Sequence, residues 1–149
     1  MYQLNEITEI DDNIFDSIYE NNKTQIVVNN GYDDKEKLKF IFKNPTTYFK
    51  LFFEVTYNSE VVGYYQGKLL NNHAYLYNAI TKTEQTFKDA VDVSTTYLKG
   101  LGCTHVVCSA IPDTNMYNYC LASCERTDIF AYEKTENTGD TVDIFMRLV

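Results

Sequence analysis

The sequence predicts a single α+β domain over residues 1–149: a mostly antiparallel sheet with one central parallel strand pair and helices on both faces. Three observations predict it. At 149 residues, 44% hydrophobic and 23% charged, the chain has the size and balance of one globular domain, and no repeat or Pro/Gly/Ser-rich linker divides it. Residues 48–70, "YFKLFFEVTYNSEVVGYYQGKLL", read as an antiparallel hairpin turning at Asn58-Ser59. "HAYLYNAI" and "THVVCSAI" flank a helical stretch, and a strand–helix–strand crossover brings its two strands together in parallel.

The elements follow in order. Residues 2–7 form a short strand. Thr8 followed by Asp11 resembles a helix start, after which Ile10, Ile14, Phe15 and Ile18 recur at helical spacing. "YDDKEKLKFIFKNP" predicts a second helix through Leu38, Ile41 and Phe42, stopped by Pro45 because the residue before a proline disfavours helical angles. In the next strand Phe49, Leu51, Phe53, Val55 and Tyr57 share one face, while Lys50, Glu54 and Thr56 share the other, polar one. After the strand at 73–80, Phe87, Ala90, Val91, Tyr97, Leu98 and Leu101 mark one helix near 84–100, closed by Gly100 and Gly102. "THVVCSAI" is nearly continuous in apolar residues, as a strand buried on both faces should be. A short helix over 114–124 and two strands, "DIFAYEKT" and "TVDIFMRLV", joined at "ENTGD", complete the chain.

Composition excludes several functions. A formal charge of -8 with only two arginines, Arg126 and Arg147, argues against nucleic-acid binding, which rests on clustered cations. No apolar run approaches the ~18 residues of a membrane span, so no membrane partner is expected. "MYQLNEITEIDD" lacks the basic start and apolar core of a signal peptide, which places the chain in a cytoplasm or within a virus particle. Thirteen tyrosines, no tryptophan and many asparagines point to an AT-rich genome, as of a virus (a phage, for instance) or an AT-rich bacterium.

Cys103, Cys108, Cys120 and Cys124 include no CxxC pair, and neither His73 nor His105 completes a zinc spacing; no metal is expected, and the thiols read as buried structural residues. Ser109 and His105 share a strand face by parity but lack the context of a nucleophile, and no phosphate-binding loop or dinucleotide fingerprint occurs. Tyr64-Tyr65, Tyr75 and Tyr77 read as sheet packing or protein contact on so acidic a domain.

This element order, with the hairpin before the crossover, resembles the GNAT superfamily of acyl-CoA-dependent N-acetyltransferases. The likeness covers essentially the whole chain and is best in "FFEVTYNSEVVGYYQGKL", "LKGLGCTHVVCSAIPDTNMYNYCLASC" and "FAYEKTENTGDTVDIFMRLV". In that family the fourth strand is followed by (Arg/Gln)-x-x-Gly-x-(Gly/Ala), whose glycines let backbone N–H groups close on the coenzyme pyrophosphate. Here the loop falls on Lys82-Thr83-Glu84-Gln85-Thr86-Phe87. Its glycines are gone, Glu84 adds a carboxylate, and only Lys82 keeps a favourable charge. The same residues read as a helix start, with Thr81 and Glu84 at capping-box spacing.

The resemblance implies Lys82, Gln85 and Asn115 as coenzyme-binding positions if acyl-CoA binds. It puts Ala122 where the family's thiolate-protonating tyrosine stands, with Tyr119 one helical turn earlier as the substitute acid if the chain is active. "HAYLYNAI" has no carboxylate, which leaves Glu54 and Asp113 as candidate bases.

Two functions stay open. One is an active acetyl-CoA-dependent N-acetyltransferase. The other, favoured by these departures, is a non-catalytic GNAT-fold component of a protein assembly such as a virus particle, needing no cofactor. Tyrosine suits interfaces, where it supplies contact area at low entropic cost. The expected interface is helix 114–124 with Met116, Tyr117 and Tyr119, beside the loop 81–87.

Overall fold

The computed structural model describes residues 1–22, 34–44 and 50–149. Pro45 and Phe49, with the parts of the second helix and hairpin expected at 32–33 and 45–49, lie outside the described residues. Within them the elements are β1 (Tyr2–Glu6), α1 (Asp12–Asn22), α2 (Lys35–Lys43), β2 (Leu51–Tyr57), β3 (Glu60–Leu70), β4 (His73–Thr81), α3 (Glu84–Asp89), α4 (Val91–Gly100), β5 (His105–Ala110), α5 (Asn115–Ser123), β6 (Phe130–Asn137) and β7 (Val142–Leu148). Seven strands form one sheet in the order β1-β2-β3-β4-β5-β7-β6. β4 and β5 are its parallel pair, and the remaining neighbours are antiparallel. The α+β architecture is as the sequence predicts.

Local chemistry sets the boundaries. Asp11 caps α1, its carboxylate accepting the Ile14 N–H at 3.0 Å, and Asp34 caps α2 by accepting from Glu36 and Lys37. Asn58 and Ser59 both take positive φ (50° and 71°), as do Asn71 and Asn72 (51° and 63°). Two left-handed residues in succession match the right-handed twist of the strands they join, so both hairpins close in two residues.

Two expectations are corrected. The single helix near 84–100 divides at Ala90, whose ψ of -7° falls short of the helical value and turns the chain between α3 and α4. The polar face assigned to β2 is in fact largely covered: Phe52 and Thr56 are buried, because α1 and α2 pack on that side. There Phe15, Phe42, Phe52 and Tyr64 form one aromatic cluster, with ring centroids 5.8 Å apart for Phe15–Phe42 and 6.3 Å for Phe42–Tyr64. The larger core lies on the other face, where Phe53, Tyr65, Val106, Cys108, Ile144 and Met146 meet α3, α4 and α5.

Burial raises the phenols of Tyr64, Tyr65 and Tyr119 above their ordinary value of 10.0. The folded chain therefore holds these protons more tightly than the unfolded one. Their contribution is complete below pH 10 and is lost as pH rises past it towards the folded values. Stability to urea should be level up to about pH 10 and fall above it, with tyrosinate absorbance from these residues appearing only as the chain unfolds. Ionisation of all thirteen tyrosines before unfolding would contradict this.

Candidate functional site

The parallel ladder is short. It pairs His73–Leu76 with His105–Cys108 and stops at the rung Leu76↔Cys108, although β4 continues to Thr81 and β5 to Ala110. The carboxyl ends of the two strands are thus left unbonded to each other, and α3 and α5 begin just beyond them. In open α/β sheets, a crevice outside the carboxyl ends of parallel strands is the usual ligand position.

A polar row crosses the sheet at the level where the strands part. Gln66 on β3 pairs with Asn78 on β4, and Ser109 on β5 pairs with Asp143 on β7. Gln66, Asn78 and Ser109 are buried. Asn78 Nδ2 donates to Gln66 Oε1 at 3.4 Å, Gln66 Nε2 donates to the Ile41 carbonyl at 3.3 Å, and Ser109 Oγ donates to Thr141 Oγ1 at 3.4 Å. Asp143 Oδ1 is buried and accepts no hydrogen bond among the described residues. A buried acceptor without a donor is costly, and such groups concentrate at sites that bind something. Sequence reading missed this carboxylate because it sought a base on the fourth strand. The pairing Ser109↔Asp143 brings a carboxylate in from β7 instead.

The candidate bases named from sequence lie elsewhere. Glu54 is on β2, two strands from the parting, and accepts from Asn5 at 3.4 Å. Asp113 is exposed in the turn before α5, with a positive φ of 65°.

The loop 81–87 is closed on itself. Thr83, rather than Thr81, caps α3: its hydroxyl accepts the Thr86 N–H at 3.0 Å, while Thr81 Oγ1 donates to the Thr83 carbonyl at 2.7 Å. The Lys82 N–H donates to Val62 and its ammonium pairs with Glu60 at 3.2 Å. Gln85 is exposed and donates to Asp89 at 2.7 Å. Asn115 opens α5, and its side chain lies outside the described residues. Phe87 points inward, stacked on Tyr119 with ring centroids 5.3 Å apart, and the two close the space between α3 and α5.

Beside this pair lies a cleft of about 230 Å³ bordered by Lys88, Val91, Ala122, Glu125 and Arg126. Its cations are neutralised: Lys88 by Glu84 at 3.2 Å, Arg126 by Asp128 at 2.9 Å and Asp92 at 3.2 Å.

The interface expected on α5 needs correction. Met116 is fully buried and Tyr119 is 9% exposed, because both face the sheet and join its core. Tyr117 is half-buried. The outward face of the helix is Asn118 and, three residues on, Leu121 at 43% exposure; Ile111, in the turn before the helix, is exposed at 37%. Cys103, Cys108 and Cys120 are buried and Cys124 is half-buried, so the reading of four buried thiols fails at Cys124, which sits at the helix end. Burial raises the thiols of Cys103, Cys120 and Cys124 above their ordinary value, keeping them protonated and poorly nucleophilic. Among the described residues no group of three His, Cys, Asp or Glu side chains is placed to hold a metal, and no helix is long and apolar enough to cross a membrane.

This topology, with a parallel pair that parts midway and a helix starting beyond each strand, is the GNAT fold of the acyl-CoA-dependent acetyltransferases. No protein-family model and no curated protein matches the chain. Solved structures do. The chain is similar to aminoglycoside acetyltransferase AAC(6')-Ib in complex with coenzyme A and kanamycin, with TM-score 0.66 and 13% identity over 100% of this chain and 95% of that one. It is also similar to a GNAT-family protein from Desulfovibrio desulfuricans (TM-score 0.61, 12% identity, 99% and 98% covered). A third is PaiA N-acetyltransferase from Thermoplasma acidophilum in complex with coenzyme A (TM-score 0.51, 14% identity, 99% of both chains covered). At these identities the likeness establishes the fold.

Proposed function

We propose that this chain is a GNAT-fold protein whose acyl-CoA site is degenerate, and that it works without catalysis, through contact with other protein chains in an assembly such as a virus particle. The observation that carries this reading is the loop 81–87. Where a coenzyme pyrophosphate needs open backbone N–H groups and uncommitted cations, the Thr86 N–H is taken by Thr83, the Lys82 N–H by Val62 and the Lys82 ammonium by Glu60. Glu84 adds a negative charge at the helix start. The contact surface is the outward face of α5 with Asn118 and Leu121, together with Ile111 and half-buried Tyr117. Lysine is sparse there and apolar side chains stand in the open, as in the core of an interface.

Thermal unfolding with and without acetyl-CoA tests the first half. A ligand at a hundred times its dissociation constant stabilises the folded state by roughly 2.7 kcal/mol, a shift of several degrees for a domain this size. No shift is expected at millimolar acetyl-CoA. A shift of that size, abolished by Lys82→Glu, would restore a coenzyme site. For the second half, Leu121→Glu should weaken capture of the native partner while leaving the melting temperature within about 2 °C of wild type, as a surface substitution does. Equal capture by the variant would remove α5 from the interface.

A second reading, an acetyl-CoA-dependent N-acetyltransferase, is favoured by one observation: the Asp143 carboxylate beside Ser109 of β5, with one oxygen buried and without a partner among the described residues. On that reading Asp143 would accept the proton of the attacking ammonium and Tyr119 would protonate the leaving thiolate. Lys82, Gln85 and Asn115 would face the coenzyme. It requires acetyl-CoA turnover with an amine that falls at least about a hundredfold in Asp143→Asn.

A further inference from the structure

Between the sheet and helices α3 and α4 lies a partly open, mainly apolar pocket of about 90 Å³. Its floor includes Leu51, Phe53, Val106 and Cys108, and its roof is formed by Val91, Ser94 and Leu98 of α4. Protein interiors pack as densely as organic crystals, so a void this much larger than one water is an exception within the fold. No Asp, Glu, Lys, Arg or His lines it. An ion could not enter without losing its hydration to walls that offer no counter-charge.

One wall group is unsatisfied. Ser94 Oγ is buried and has no hydrogen-bond partner among the described residues. The neighbouring residue shows what a helical hydroxyl ordinarily does: Thr95 Oγ1 donates back to the Val91 carbonyl at 2.9 Å. Ser94 makes no such bond: the Ala90 carbonyl accepts its N–H at 3.0 Å but not its hydroxyl, which is left over at the cavity wall. An apolar chamber with a single orphaned hydroxyl matches a molecule that is apolar over most of its surface and polar at one point.

We propose that this cavity is a binding site for a small uncharged amphiphile, an alkyl body bearing one hydroxyl or carbonyl group that hydrogen-bonds Ser94. A cavity of about 150 Å³ lined by apolar side chains takes benzene, which by proportion sizes this ligand at about four non-hydrogen atoms. The site uses neither a phosphate grip nor the surface of α5, so it stands or falls independently of the function proposed above.

The test is a titration of the ¹⁵N-labelled full chain with 1-propanol and, separately, with xenon, read by amide chemical shifts. Both probes should give saturable shifts centred on Val91, Ser94, Leu98 and Val106. Ser94→Ala should weaken 1-propanol about fivefold, the worth of one hydrogen bond, and leave xenon unchanged. Val91→Phe, which fills the chamber, should abolish both; if it does not fold, Ser94→Leu serves the same purpose. The wild-type titrations are decisive by themselves. Absence of saturable shifts, or shifts centred elsewhere, overturns the site, and an equal response of both probes to Ser94→Ala overturns the role of the hydroxyl.

Discussion

Gly67→Ala should destabilise the fold by more than about 3 kcal/mol, the upper end of ordinary overpacking. A methyl group on Gly67 would stand 2.1 Å from the carbonyl oxygen of Tyr75 and 3.1 Å from its carbonyl carbon. Both atoms are backbone of the neighbouring strand, so no side chain can rotate away, and either the ladder opens or the strands separate. The position is also where the register of β3 on β4 slips: Gln66 pairs with Asn78 and Gly67 with Leu76, leaving Tyr77 as the extra residue of a bulge. The substitution should therefore do two things. The urea midpoint should fall, with melting lowered by roughly 10 °C for a chain of this length. The amide signals of Asn78 and Ser109, on the two sides of the parting, should shift more than those of β1 or β6. A variant as stable as wild type would show that the close approach of the strands is not what holds the bulge.

Phe42→Ala should cost about 3–5 kcal/mol, the range for emptying an aromatic from a core. Phe42 has no solvent exposure and its ring meets Phe15 of α1, Phe52 of β2 and Tyr64 of β3, with centroids 5.8, 6.4 and 6.3 Å away. Together with Leu38, also fully buried, it fastens α2 to α1 and to the sheet. The surface ion pairs between these helices, Lys39–Asp16 at 3.0 Å and Lys43–Asp12 at 2.9 Å, cannot replace it, since exposed pairs contribute about 0–1 kcal/mol each. Equilibrium denaturation should show a lowered midpoint together with early loss of amide protection in α2. Because Gln66 donates to the Ile41 carbonyl, release of α2 should also disturb the polar row. A loss below about 1 kcal/mol would mean that the space collapses without cost.

Element types were legible in the sequence because each rests on short-range physics. Alternation marked β2, the apolar run "HVVCSA" marked a strand buried on both faces, and helical spacing marked α1 and α2, with a polar start ahead of α1. The break at Ala90 was not legible, since helical spacing continues across it and only a backbone angle departs. The burial of Phe52 and Thr56 was missed for a related reason. Strand alternation names two faces but does not say that a second layer of helices covers the polar one.

For the candidate site, sequence by itself determined that residues 82–87 contain no glycine, that β4 carries no carboxylate and that position 122 is alanine. Those are facts of composition at counted positions. Tertiary structure alone decided where the remaining side chains point. By period-two alternation Asn78 belongs on the same face as Leu76; the bulge at Tyr77 inserts one residue and turns Asn78 to the face of Gln66. Asp143 comes beside Ser109, one strand from the parting of β4 and β5, because β7 inserts between β5 and β6 and pairs with β5 across 34 positions of sequence. Tyr119 and Met116 turn inward because the face of α5 they occupy is the one that meets the sheet. Local sequence sets which residues share a strand or helix face, whereas the partner opposite that face is chosen by long-range packing, and the chemistry of this site depends on the partner.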